Sequence, residues 1–192
     1  MATPSAPRLF LAVGLSEPQQ ATLLRWRQWA LAPVLAQGLG QPVAARNLHL
    51  TLAFLGATPP QLADELLPRL DLVRAAPCTI AFDQCQYWPK PRIAALTASS
   101  VAPALLDLAN QLRTISQQLG LHRDNLPYQP HITLCRELAT LPELPETPPS
   151  LTLTIDHFTL FDSRRVNGEL RYQPLARWPL RAPAGGPPVR PG

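Results

Sequence analysis

Leu48-His49-Leu50-Thr51-Leu52 returns further along the chain as Pro130-His131-Ile132-Thr133-Leu134. Each copy sets a histidine and a threonine two residues apart, with aliphatic residues between and after them. Such alternation is the period of a half-buried β-strand. Residues i and i+2 of a strand share a face, so each imidazole stands beside a hydroxyl while the aliphatics turn to the core. Two such strands meeting would gather two imidazoles and two hydroxyls around one point. That set suits acid–base chemistry on a phosphate ester without a metal.

Outward from these motifs, the pattern reads as strand, helix, histidine strand, twice over. Arg8–Leu15 is apolar and predicts a buried strand. Ser16 and Gln19 form a capping-box pattern that opens a helix carrying Leu23, Leu24, Trp26 and Trp29. After the break at Gly38–Pro42, the first histidine strand runs to Phe54. Thr58-Pro59-Pro60-Gln61 reads as a second capping box, ahead of a helix with Leu62, Leu66, Leu70 and Val73 on one face. A strand over Cys78–Tyr87 closes the first half.

In the second half Arg92–Ala98 predicts a strand and Ala102–Leu119 a helix. Leu105, Leu108, Leu112, Ile115 and Leu119 fall at helical spacing, and Gly120 is placed to stop the helix. The second histidine strand covers His131 to about Arg136. A Pro-rich link at Leu141–Pro149 leads to strands near Leu151–Phe161 and Leu170–Pro179. Arg8 and His49 lie 41 positions apart, and Arg92 and His131 lie 39 apart. Matched intervals of this kind indicate one unit used twice. The expectation is one domain over residues 1–181, with pseudo-repeats at about 8–87 and 92–161. Their boundary falls near Tyr87-Trp88-Pro89-Lys90-Pro91, and the Pro/Gly-rich tail 182–192 is expected to be disordered.

With 192 residues, 46% of them hydrophobic, the chain is long enough for one core. No stretch approaches the roughly 18 apolar residues of a membrane helix, and the first residues do not read as a secretory signal. Three cysteines without a C-x-x-C pair point to a reduced, cytoplasmic setting rather than a zinc or redox site. Of the 17 basic residues only Lys90 is lysine, and the net charge is +4. Arginine suits phosphate recognition, although the bias also follows from a composition rich in Ala, Leu and Pro.

A third match, His157-Phe158-Thr159-Leu160, tempers the motif. It lies outside the repeated unit, where the alternation slips phase, and reads as a bulge or edge. His122 reads as a solvated loop residue. Neither tetrapeptide holds a carboxylate for a metal cage. The chain lacks G-x-S-x-G and Walker A loops. Cys135 reads as a small buried residue rather than a nucleophile.

RLFLAVGL, NLHLTLAFLG, YQPHITLCR and RYQPLARWPL together resemble the two-histidine phosphoesterase superfamily, and within it the bacterial RNA 2′,3′-cyclic phosphodiesterases, also called 2′–5′ RNA ligase-like. The resemblance covers nearly all of Arg8–Arg181. It implies an α+β fold of duplicated βαβαβ units, forming two lobes of antiparallel sheet around a central cleft with helices outside. It implies hydrolysis of a ribose 2′,3′-cyclic phosphate to a 2′-phosphate, with neither metal nor other cofactor. By motif position His49 matches the proton donor and His131 the proton acceptor, Thr51 and Thr133 the phosphate-binding threonines, and Arg136 a substrate-contacting arginine. Where members often carry a tryptophan in the strand matching Arg92–Ala98, this chain has Ala94 and Ala95.

Two histidines with ordinary pKa near 6.5 supply a base and an acid together, which predicts a bell-shaped pH dependence. Tyr128 and Phe10 are the candidates for stacking a base, Phe10 equally a core residue. The expected partners are RNA ends or nucleoside 2′,3′-cyclic phosphates, with no membrane, and the protein is expected to act as a monomer. Two readings compete: a reversible 2′–5′ ligase on tRNA halves, and an RNA- or nucleotide-binding module without catalysis.

Overall fold

Ten strands and four α-helices order the chain in the computed structural model, which describes residues 6–121, 126–140 and 143–182. The first half holds β1 (Arg8–Gly14), α1 (Glu17–Ala30), α2 (Ala32–Ala36), β2 (Gln41–Pro42) and a 3-10 turn (Ala45–Asn47). It continues with β3 (His49–Ala57), α3 (Pro60–Leu70), β4 (Cys78–Phe82) and β5 (Gln84–Trp88). Then come β6 (Ile93–Thr97), α4 (Pro103–Gln118), β7 (His131–Arg136), β8 (Leu151–Ile155), β9 (His157–Val166) and β10 (Glu169–Pro179).

The main sheet has the order β10-β9-β1-β3-β7-β6-β5, with β2 on β7, and all its pairings are antiparallel. β4 and β8 form a separate antiparallel pair. The fold is thus the α+β, antiparallel-sheet architecture expected. The run β9-β1-β3-β7-β6-β5 reads the same from either end once β1 is exchanged with β6, β3 with β7 and β9 with β5. At its centre β3 and β7 are joined through the pair Leu50↔Ile132.

One face of this sheet is the core. Leu9, Leu11, Val13, Leu50, Leu52, Leu96, Ile132 and Phe158 pack there against the helices. Leu105, Leu108 and Leu112 of α4 are fully buried, each worth about 1.5–3 kcal/mol relative to an exposed position. α4 ends as its glycine predicts. Gly120 takes φ +68°, and the Gly120 and Leu121 amides donate to Gln117 O and Ser116 O, both at 2.9 Å, closing the last turn. At the start of α1, Gln19 Oε1 accepts the Ser16 amide at 2.9 Å.

Several sequence expectations are corrected by long-range pairing. Cys78–Tyr87 is two strands, not one, and so is Leu151–Phe161; each breaks at an aspartate, Asp83 or Asp156. Asp83 turns its carboxylate to the Ser99 amide at 2.8 Å, which ends β4 and lets β5 pair with β6. The Tyr87–Pro91 segment lies at the turn of the β5–β6 hairpin. At α3 the second capping box is absent: Pro59 occupies the cap, and Thr58 donates its hydroxyl to Gly56 O at 3.1 Å. Trp29 is 64% exposed, because α1 buries Leu23, Arg27 and Ala30 instead. His122 and residues 183–192 of the tail lie outside the described residues.

Arg27 is the unforeseen member of that helix face. Its Nη1 donates to Val43 O and to Leu134 O, the latter at 3.2 Å, and burial lowers its pKa. Arg27→Ala removes a donor from Val43 O, leaves Leu134 O with the Val43 amide alone, and opens a cavity. The expected loss is about 2–4 kcal/mol, read from urea unfolding of wild type and variant. A variant as stable as wild type would deny this tie any structural role.

Candidate active site

Neither histidine strand alternates cleanly, and the irregularity positions the site. Along β7, Thr133 pairs with Ala95 and Cys135 with Ala94, so Leu134 is an extra residue. Along β3, Thr51 pairs with Ala12 and Ala53 with Leu11, so Leu52 is extra. A bulge of this kind shifts the phase of everything after it. Cys135 consequently joins Ala94 and Leu138 in the core, as a small buried residue, and Arg136 swings onto the face of His131 and Thr133. In β3 the matching position is Phe54, 55% exposed. Leu134 O, the carbonyl of the bulged residue, is the one that Arg27 holds.

Continuing the antiparallel register by one residue from Leu50↔Ile132 sets His49 opposite Thr133 and Thr51 opposite His131. All four side chains fall on the sheet face away from the leucines. The structure therefore brings together His49, Thr51, His131, Thr133 and Arg136.

Both imidazoles are held alike. His49 Nδ1 lies 2.7 Å from Asn47 O, and His131 Nδ1 lies 2.9 Å from Gln129 O. A carbonyl only accepts, so each Nδ1 carries the hydrogen and each Nε2 is left for a substrate. Burial first, then Arg136 and His131, lower the His49 pKa to about 4 against the raising effect of the Asn47 carbonyl. His131 is lowered by burial too, and by Arg136. The site is thus a cluster of neutral imidazoles beside an arginine, poor in negative charge. A bound anion would supply that charge.

Of the two proposed base-stacking residues, Phe10 offers no open face. Phe10 is 4% exposed and lies among His49, Phe161 and Tyr172, with ring centroids 5.0, 5.3 and 4.8 Å away. Tyr128 donates its hydroxyl to Thr51 O at 2.9 Å, a strut from the loop before β7 to the β3 backbone, and burial raises its pKa. Sequence reasoning missed two other aromatics. Trp88 sits 4.7 Å from the His131 ring, and Tyr172 meets the His49 ring edge-on at 5.1 Å. Trp88 comes from β5, next to the strand in which Ala94 and Ala95 stand. Among the described residues, no group of three His, Cys, Asp or Glu side chains is placed to hold a metal ion.

Comparison with known proteins agrees with this geometry. The family model for LigT-like phosphoesterases matches residues 13–95 and again 96–172. An RNA 2′,3′-cyclic phosphodiesterase from Escherichia coli K12 is 34% identical over 90% of this chain and 96% of its own. One from Thermus thermophilus is 32% identical over 96% of this chain and 98% of its own. The crystal structure of E. coli LigT complexed with 3′-AMP superposes with a TM-score of 0.84 at 34% identity, covering 91% of this chain and 98% of that one. The chain belongs to the LigT-like phosphoesterase family.

Proposed function

We propose that this protein hydrolyses the 2′,3′-cyclic phosphate of RNA ends or nucleosides to a 2′-phosphate. The observation that carries the reading is the pairing of two His-x-Thr sets across the Leu50↔Ile132 junction, with Arg136 brought to the same face by a bulge. The names of the E. coli and T. thermophilus relatives support the substrate class.

In the reaction a water oxygen bonds to phosphorus while the P–O3′ bond breaks. His131 Nε2 takes the proton from water, and His49 Nε2 gives one to the departing O3′. Thr51, Thr133 and Arg136 donate hydrogen bonds to the non-bridging oxygens as their charge grows. With its pKa near 4, His49 by itself is neutral at pH 7. The substrate's negative charge raises it, so the acid is made by the molecule it acts upon. Ligation is the same displacement with a ribose hydroxyl in place of water as the nucleophile, and no separate observation favours it.

All five polar groups come from one chain, so a monomer suffices. The three free cysteines suit a reducing cytoplasm, and among the described residues no helix is long and apolar enough to cross a membrane. The same reading treats the chain as one two-lobed domain built from a repeated unit, which the matched strand order supports.

Incubation with adenosine 2′,3′-cyclic phosphate in EDTA, followed by chromatographic separation of the 2′- and 3′-monophosphates, tests the proposal. Adenosine 2′-phosphate is the expected product. Exclusive 3′-phosphate, or no turnover with this or an RNA end, would refute it.

A further inference from the structure

The third His-x-Thr lies on the same face of the same sheet as the other two. Phe158 and Leu160 of β9 are core residues, so His157, Thr159 and Phe161 point to the opposite side. There Phe161 stacks on Phe10 at 5.3 Å, and Phe10 in turn touches His49. Thr159 pairs with Ala12, which pairs with Thr51. Continued by two residues, the same register aligns His157 with Gly14, which pairs with His49. His157 therefore stands two strands from His49, about 10 Å away at the usual strand spacing.

The residue between them has no side chain. A Cβ on Gly14 would meet Phe161 Cζ at 4.0 Å, an ordinary van der Waals contact, so the row is a trough bordered by the Phe161 ring. A cavity of about 690 Å³ lies over His157, Thr159 and Arg177, and the hollow around His49 and Tyr172 shares Gly14, Leu15 and Phe161 with it. Arg177, from β10, pairs with Thr159, and its Nη2 lies 3.0 Å from His157 Nδ1. Asp156 contacts the same ring nitrogen of His157 but does not line the cavity. Among the described residues, none of those lining it is acidic. The lining instead offers a guanidinium, an imidazole and the Thr159 hydroxyl, while the Gln19 amide is taken up by Thr152 O and Ser16.

The geometry points to a second phosphate subsite, formed by Arg177, His157 and Thr159, that holds a phosphodiester of the RNA chain upstream of the cyclic end. This rests on the cyclic phosphodiesterase reading and extends it: the preferred substrate is an oligonucleotide, recognised by its backbone and not only by its reacting end. A guanidinium beside a hydroxyl is the donor set that phosphodiester oxygens take. The trough sets it a short span of single strand from His49.

The test compares kcat/KM on cytidine 2′,3′-cyclic phosphate and on a tetraribonucleotide ending in the same group, for wild type, Arg177→Ala, Arg177→Lys and His157→Gln. Arg177→Ala is expected to lose about tenfold more on the tetranucleotide than on the mononucleotide, with Arg177→Lys recovering part of the loss. Binding of the 2′-phosphorylated tetranucleotide product should also show a salt slope shallower by about 0.7 in Arg177→Ala, the value for one lost single-strand phosphate contact. Equal losses on both substrates, or none on the tetranucleotide, would overturn the subsite while leaving the activity intact. A wild-type protein that turns over neither substrate would instead remove the underlying reading, and this subsite with it.

Discussion

His49→Ala and His131→Ala are each expected to lower kcat by about 10²–10⁴-fold, with the fold retained. The histidines act in one proton circuit, so removing both should cost little more than removing either. The pH profile tells their roles apart. Wild type needs one imidazole neutral and the other protonated, which gives a bell. His49→Ala removes the acid and should lose the fall at high pH; His131→Ala removes the base and should lose the rise at low pH. Rates of the three proteins on a nucleoside 2′,3′-cyclic phosphate between pH 5 and 9 check this. Exchanged limbs would reverse the assignment, and a wild-type rate that rises throughout would dismiss paired acid–base catalysis.

Arg136→Ala is expected to lower kcat/KM by about 10²–10³-fold, the usual cost of a missing donor to transition-state charge. It should also move the pH optimum upward. Arg136 lowers both imidazoles; without it each holds its proton to higher pH, so both limbs of the kcat/KM bell shift to the alkaline side. Arg136→Lys keeps the charge but not the planar fork. It should leave the optimum near that of wild type and restore only part of the rate. If Arg136→Ala slows the reaction without moving the profile, the arginine does not share the histidines' field.

The chemistry is legible in the sequence because it is written locally. A histidine two residues before a threonine on an alternating strand declares its own face, and β7 and α4 fall within a residue or so of their expected limits. What escapes is non-local. Asp83 and Asp156 look like ordinary strand residues until β4 finds β8 and β5 finds β6. The bulges at Leu52 and Leu134 show only in partner registers, yet they decide that Arg136 joins the site and Cys135 does not. Trp88 reads as part of a linker, and Tyr172 belongs to a strand whose neighbour no local pattern names. Arg27 falls four residues after Leu23, on the buried face, and only its charge makes it read as a solvent residue. His157, out of phase by alternation alone, proves to be in phase with the reactive face, because the chain breaks at Asp156 and restarts the alternation.

One pair, Leu50↔Ile132, fastens the two halves of the sheet at their midline. A seam so narrow resists twisting far less than a full ladder would, so the gap separating the imidazoles is governed by how these two hydrocarbon side chains fill the volume beneath it. Evolution or an engineer could thus tune the reach of the catalytic pair from the apolar underside, without replacing a single polar atom.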